Sequence, residues 1–259
     1  MPNDAVIYKR QGRTAYITLN RPQVLNAVNR DLESGLVDTL RQFDADDAAW
    51  VAVLHGAGRA FCAGADIKQS FHGASRQQRD QQWGAGISPD GLLGRSINWK
   101  PVIAAVHGHC LGWGILIAAE CDLVVASQEA MFGLTETLRG FPGGPAWARL
   151  NAFMPSKIAT EMLLTGQAKP AAELHRLGFV NRLTPTGGHL DAAQSLADEV
   201  LKAPPLAVRS GVRVTRWQWN RPSADADYYQ AALRLHLTED FEESSRSFVE
   251  KRPPEYKGR

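Results

Sequence analysis

Gly56-Ala57-Gly58-Arg59-Ala60-Phe61-Cys62-Ala63-Gly64-Ala65-Asp66-Ile67-Lys68 follows directly on the short apolar run Val51-Ala52-Val53-Leu54. Four consecutive apolar residues are a buried strand, and a glycine-punctuated stretch after it is a loop whose backbone can approach a ligand closely. Upstream, Asn29 is a helix N-cap residue type, and Leu32, Leu36, Leu40 and Phe43 recur at helical spacing. Before that, Ala5 to Lys9 and Thr14 to Leu19 are β-rich segments around Gly12, the pattern of a hairpin, and Asn20-Arg21-Pro22 ends the second strand.

The same rhythm recurs downstream. Val102 to Val106 is a second buried strand leading into the Gly108-to-Gly114 loop, after which Trp113 to Glu120 reads as a helix. Leu123 to Ala126 is a third strand, and Met131-Phe132 precedes a third glycine loop, Gly133 to Gly144. Arg76 to Asn98 reads as a polar helical stretch interrupted around Gly84 to Pro89. Strands alternating with helices require crossover connections, hence an α/β fold with a partly parallel sheet. From Ala146 onward the pattern is mainly helical, punctuated by Pro155, Pro170, Pro204-Pro205 and Pro222, with a helix expected from Ala224 to about Leu237 that carries Tyr228 and Leu233.

Composition narrows the function classes. The 259 residues are 44% hydrophobic and 22% charged, values of an ordinary globular protein with ample core. Lys plus Arg number 29 against 27 Asp plus Glu, a surplus too small to argue for nucleic acid or an anionic membrane as the main partner. Cys62, Cys110 and Cys121 cannot all pair within the chain, and no Cys-x-x-Cys or His/Cys cluster suggests a metal, so a reducing, cytoplasmic compartment is expected. Met1-Pro2-Asn3-Asp4 has no basic start before an apolar run, so no secretory signal is expected. The span from Lys100 to Glu120 has no charge inside it, but Pro101, His107, His109 and the glycines Gly108, Gly112 and Gly114 make it a poor membrane helix. No G-x-G-x-x-G opens a helix after the first strand, which argues against a dinucleotide-binding dehydrogenase.

Loops at strand ends are where α/β proteins build sites. Here Ala60-Phe61-Cys62-Ala63-Gly64-Ala65-Asp66-Ile67-Lys68, Pro101-Val102-Ile103-Ala104-Ala105-Val106-His107-Gly108 with Leu111-Gly112-Trp113-Gly114, Cys121-Asp122-Leu123-Val124-Val125-Ala126 and Phe132-Gly133-Leu134-Thr135-Glu136 closely resemble the crotonase superfamily, the enoyl-CoA hydratases and isomerases. Leu19-Asn20-Arg21-Pro22, Leu25-Asn26-Ala27 and Phe248-Val249-Glu250-Lys251-Arg252 extend the resemblance over nearly the whole chain.

The resemblance implies a spiral of repeated ββα units over residues 1–200, holding the CoA site and an oxyanion hole, and a helical trimerisation region over 201–259. It assigns the two oxyanion amides to Ala65 and Trp113, the latter standing where the family usually has glycine, and proton transfer to Glu136. Such amides matter because a thioester reacts when its carbonyl oxygen gains negative charge, and losing one donor costs about 2.7 to 4 kcal/mol. A partly desolvated carboxylate next to that carbonyl contributes roughly 10²- to 10⁴-fold.

Two-glutamate hydratases carry their other carboxylate where this sequence has Leu116, which cannot transfer a proton. Glu120 lies one turn, about 5.4 Å, further along the helix, so the preferred reading is a paired structural glutamate. The expected activity is therefore hydration of an enoyl-CoA, with 3,2-enoyl-CoA isomerisation, another crotonase-type lyase reaction, or non-catalytic acyl-CoA binding as alternatives. For CoA, which enters as part of the substrate with no separate cofactor, the resemblance puts the adenine against the backbone at Ala63, Asp66 and Ile67. It makes Arg21, Lys68 and Lys251 candidates for phosphate contacts. Phe248 and Lys251 are expected to serve a neighbouring subunit in a homotrimer or a hexamer made of two trimers. Asp122 is expected to satisfy loop amides, and His107 and His109 to be packing residues.

Overall fold

The computed structural model describes residues 4–70, 75, 77–78, 98–216 and 234–258. Most of the Arg76–Asn98 stretch, and all but the last four residues of the helix expected from Ala224 to Leu237, lie outside the described residues. Strands β1 (Val6–Gln11) and β2 (Thr14–Leu19) form the expected hairpin. β3 (Val51–Gly56), β4 (Val102–Val106), β6 (Leu123–Ser127) and β9 (Arg182–Thr184) extend it into a six-stranded sheet in the order β1-β2-β3-β4-β6-β9, parallel from β2 onward. β5 (His109–Leu111), β7 (Met131–Gly133) and β8 (Lys169–Pro170) make a smaller second sheet.

Alternation along the strands divides the core. Ala52, Leu54, Val102, Ala104 and Val106 face α1 (Arg30–Ala45), whereas Val51, Val53, Ile103 and Ala105 face the later helix His189–Val200. Helix α1 is started by Asn29, whose Oδ1 accepts from Leu32 N at 3.0 Å, and it buries Leu32, Leu36, Leu40 and Phe43. Each such burial contributes about 1.5–3 kcal/mol. α2 (Ile67–Ser70) is one turn, and α3 (Trp113–Glu120) is apolar on all sides, so it sits inside the core.

Beyond Ala146 the chain is mainly helical, as expected, through α4 (Gly144–Leu150), α5 (Ser156–Thr165), α6 (Ala171–Arg176), α7 (His189–Val200), a helical segment over 205–216 and α8 (Glu239–Glu250). The strands β8 and β9 in this region were not expected, because two or three residues are too few to show a period of two. The C-terminal part folds back onto the rest. Arg216 is ion-paired with Asp122, whose Oδ2 also accepts from Val102 N at 2.8 Å, and Phe241 packs edge-on to Phe141 at 4.5 Å between ring centroids. No helix among the described residues is long and apolar enough to cross a membrane.

Candidate active site

The first two glycine loops are laced together by main-chain bonds. Phe61 N donates to His107 O, Cys62 N to His109 O and Leu111 N to Cys62 O, all at 2.9 Å. Gly114 completes the lacing, since a β-carbon there would collide with the Cys62 carbonyl. A residue with a side chain could not let α3 sit this close to the first loop.

This lacing fixes where Ala65 and Trp113 stand. Val28 N donates to Gly64 O at 2.7 Å and Asp66 N to Val28 O at 2.8 Å, so the bridge formed by Val28 and Ala65 turns the Ala65 N–H to the side away from Val28. Trp113 is the first residue of α3, after Gly112 with φ 53° and ψ −118°, a conformation natural only to glycine. The positive end of the α3 dipole therefore opens at Gly112 and Trp113. The two loops touch at their glycines: a β-carbon on Gly112 would stand 3.5 Å from the Gly64 Cα.

Ala65 and Trp113 both line a cavity of about 410 Å³, whose wall also includes Leu116, Glu136, Arg139 and Phe248. Glu136 enters it from the third loop. A 3₁₀ turn, Thr137–Arg139, begins immediately after it, and its carbonyl accepts from Arg139 N at 2.9 Å and Phe141 N at 3.0 Å. Its Oε1 lies 3.6 Å from where a β-carbon on Gly112 would sit. Its Oε2 is buried with no hydrogen-bond partner, although the residue as a whole is only half-buried. Desolvation of the enclosed carboxyl raises its pKa to about 7, against a smaller lowering by its own backbone amide. A carboxyl poised near neutrality can accept or donate a proton in the working pH range.

Leu116 lines the cavity at 5% exposure and contributes only apolar surface. Glu120 instead forms a buried ion pair with Arg149 at 3.1 Å, the structural role expected of it. His107 stacks on His189 at 4.5 Å between centroids and its Nε2 lies 2.9 Å from Gly58 O, as a packing residue would, whereas His109 lies in the cavity wall.

The expected CoA-contacting residues divide. Ala63 and Ile67 line the cavity, with the Ala63 amide committed to Leu25 O at 3.0 Å. Asp66 is buried, paired with Arg21 at 2.9 Å. Arg21 itself is 8% exposed and spends its guanidinium on Asp66, Gln69 and the Ala27 carbonyl. These bonds tie the first loop to the turn that carries Arg21. Lys68 is exposed on α2. Lys251 is exposed at the C-terminal end of α8, a helix that packs on α2. Phe248 lines this chain's own cavity.

Sequence reasoning passed over Arg139. The available signal was its spacing of three from Glu136, which in a 3₁₀ turn puts both side chains on one face.

Comparison with known proteins finds one family along nearly the whole chain. The family model for enoyl-CoA hydratase/isomerase matches residues 9–259. A mevalonyl-coenzyme A hydratase of Aspergillus fumigatus is 34% identical, over 93% of this chain and 90% of that protein. A 2,3-dehydroadipyl-CoA hydratase of Escherichia coli is 34% identical, over 98% of this chain and 99% of that one. The crystal structure of a carnitinyl-CoA hydratase from Mycobacterium avium superposes with a TM-score of 0.81 at 32% identity, covering 99% of both chains.

Proposed function

Since the chain belongs to the enoyl-CoA hydratase/isomerase family, we propose that it adds water across the 2,3 double bond of an enoyl-CoA thioester. The observation that carries this reading is the enclosed Glu136 carboxyl seated against Gly112, the residue whose peptide continues into the Trp113 amide. The Ala65 and Trp113 N–H groups are the donors to the thioester oxygen, aided by the α3 dipole.

With the oxygen held, Glu136 in its ionised form takes a proton from water as the water oxygen bonds to C3. The π electron pair moves toward C2 and the carbonyl oxygen, giving an enolate. Glu136 then returns the proton to C2, the carbonyl re-forms and the hydroxyacyl-CoA leaves with no net change in the protein. A single carboxylate completes the cycle, and Leu116 takes no part in proton transfer.

Leu116 also supports a second reading. A site with one carboxylate is sufficient to take a proton from C2 of a 3-enoyl-CoA and return it at C4, an isomerisation with no water consumed. Mass spectrometry of products from 2-enoyl and 3-enoyl thioesters tests both. Gain of one water supports hydration, and unchanged mass with a shifted double bond supports isomerisation. Tight binding with no product from either would overturn both in favour of a CoA-thioester binding protein.

For the CoA moiety, Ala63 and Ile67 supply the apolar and backbone contacts, and Lys68 and Lys251, carried on packed elements, are the phosphate cations. Asp66 and Arg21 shape the loop that presents them. Residues 201–259 are the oligomerising region of a homotrimer or of a pair of trimers, supported by the strongly exposed Leu206 and Val214 on the 205–216 helix. The three buried thiols, Cys62, Cys110 and Cys121, fit a cytoplasmic setting.

A further inference from the structure

The cavity holds a charge that hydration of a plain hydrocarbon chain does not use. Arg139 follows Glu136 by one 3₁₀ turn, so its side chain leaves the same face about 6 Å further along the axis. It is not the partner of Glu136: Oε2 of that carboxyl has no hydrogen-bond partner, and an adjacent guanidinium would pull its pKa down, whereas burial has raised it. No carboxylate among the described residues forms an ion pair with Arg139. Its guanidinium lies over the Phe248 ring at 4.5 Å from the centroid.

That stacking matters for recognition. A guanidinium on an aromatic face spends its flat side and leaves its N–H groups pointing outward in the plane, the geometry that grips a carboxylate with two parallel hydrogen bonds. The wall also carries the apolar Leu138, Phe141, Pro142, Pro145 and Leu235, with Arg234 and His236 on either side of Leu235. A half-buried cation in such surroundings is best stabilised by an anion, and desolvation already disfavours its charge.

Resting on the acyl-CoA reading above, we propose that Arg139 recognises a carboxylate at the far end of the acyl chain, so that the preferred substrate is the CoA monothioester of an unsaturated dicarboxylic acid. The apolar wall takes the methylene part of the chain, and Phe248 holds the guanidinium in plane. Arg139 is thus a specificity residue, separate from proton transfer at Glu136.

The test compares 4-carboxybut-2-enoyl-CoA and 5-carboxypent-2-enoyl-CoA with their neutral methyl esters, in the wild type, Arg139→Met and Arg139→Lys. In the wild type, kcat/KM should favour the acids over the esters by about 10- to 100-fold, the range of a charge-assisted hydrogen bond. In R139M that ratio should fall to near one. R139K, which keeps the charge but not the fork, should give an intermediate ratio. A wild type that treats acid and ester alike overturns the proposal. So does an R139M that slows acids and esters equally, which would put the guanidinium on a CoA phosphate instead. If no thioester gains water, the hydratase reading fails, and calorimetry with glutaryl-CoA against butyryl-CoA decides the Arg139 assignment by itself. R139M should weaken glutaryl-CoA tenfold or more relative to butyryl-CoA, and an equal change in both overturns it.

Discussion

The Glu136 carboxyl rests against Gly112, its Oε1 3.6 Å from the place a β-carbon would occupy there, so the carboxyl proposed to move the proton and the backbone that leads into the Trp113 amide are immediate neighbours. Replacing Glu136 with Gln keeps that shape and removes the transferable proton. kcat should drop roughly 10²- to 10⁴-fold while KM changes little. Steady-state hydration of crotonyl-CoA measures it, and turnover within tenfold of wild type would remove Glu136 from the chemistry.

The pH dependence follows from the same carboxyl. In the proposed reaction the carboxylate is the reactive form, so kcat/KM should climb with slope one and level off above about pH 7. Stability runs the other way. The folded pKa of about 7 exceeds the unfolded value of 4.5, so the native state holds the extra proton between them, and stability falls as pH rises through that window. Allowing for the half-exposed residue, the loss is roughly 1–3 kcal/mol, and E136Q should abolish it in urea titrations at pH 5 and pH 8.

Leu116→Glu would place a second carboxyl in the cavity beside Glu136. Like charges disfavour ionisation, so the midpoint of the pH–rate curve should move above 7, and the melting temperature should fall because a leucine at 5% exposure becomes an acid. An unmoved midpoint would mean that position 116 does not face Glu136.

Glu120→Gln separates a structural from a chemical glutamate. Removing one partner of a buried pair leaves Arg149 uncompensated and should cost about 3–5 kcal/mol in denaturant unfolding. The kcat of the folded fraction should stay within a few-fold, and a hundredfold loss there would make Glu120 part of the reaction.

Trp113→Gly keeps the peptide N–H and removes the indole from the cavity wall. Short thioesters should be hydrated within about tenfold of wild type, the added glycine loosening the first turn of α3 by about 1 kcal/mol. Longer acyl chains should gain relative to short ones in a competition assay. A fall that is equal for every chain length would assign the indole to support of the amide itself.

Much of the fold could be read from sequence because its signals are local and repeated. Leu32, Leu36, Leu40 and Phe43 define α1 by period, and Val102 to Val106 has no other use than a strand buried on both faces. The loops were legible as glycine clusters, and Glu136 through its phrase. What sequence could not give was partnership across distance. Arg21 looks like any cation until Asp66, far along the chain, is seen closing on it at 2.9 Å. Likewise, the strand Arg182–Thr184 exists because Ala126 and its neighbours offer it an open edge, and three residues carry no period of their own. Arg139 escaped notice because a 3₁₀ turn has no hydrophobic repeat to announce it.

The Tyr256 hydroxyl donates to Leu138 O at 2.9 Å, and Ser244 reaches the same carbonyl at 3.5 Å. One wall of the acyl chamber is thus latched by residues almost at the end of the numbered chain. An affinity tag or proteolytic nick there would alter which substrates fit while sparing the proposed amide donors of Ala65 and Trp113, so preparations differing only in their last few residues should disagree about chain-length preference and agree about turnover of the smallest thioester.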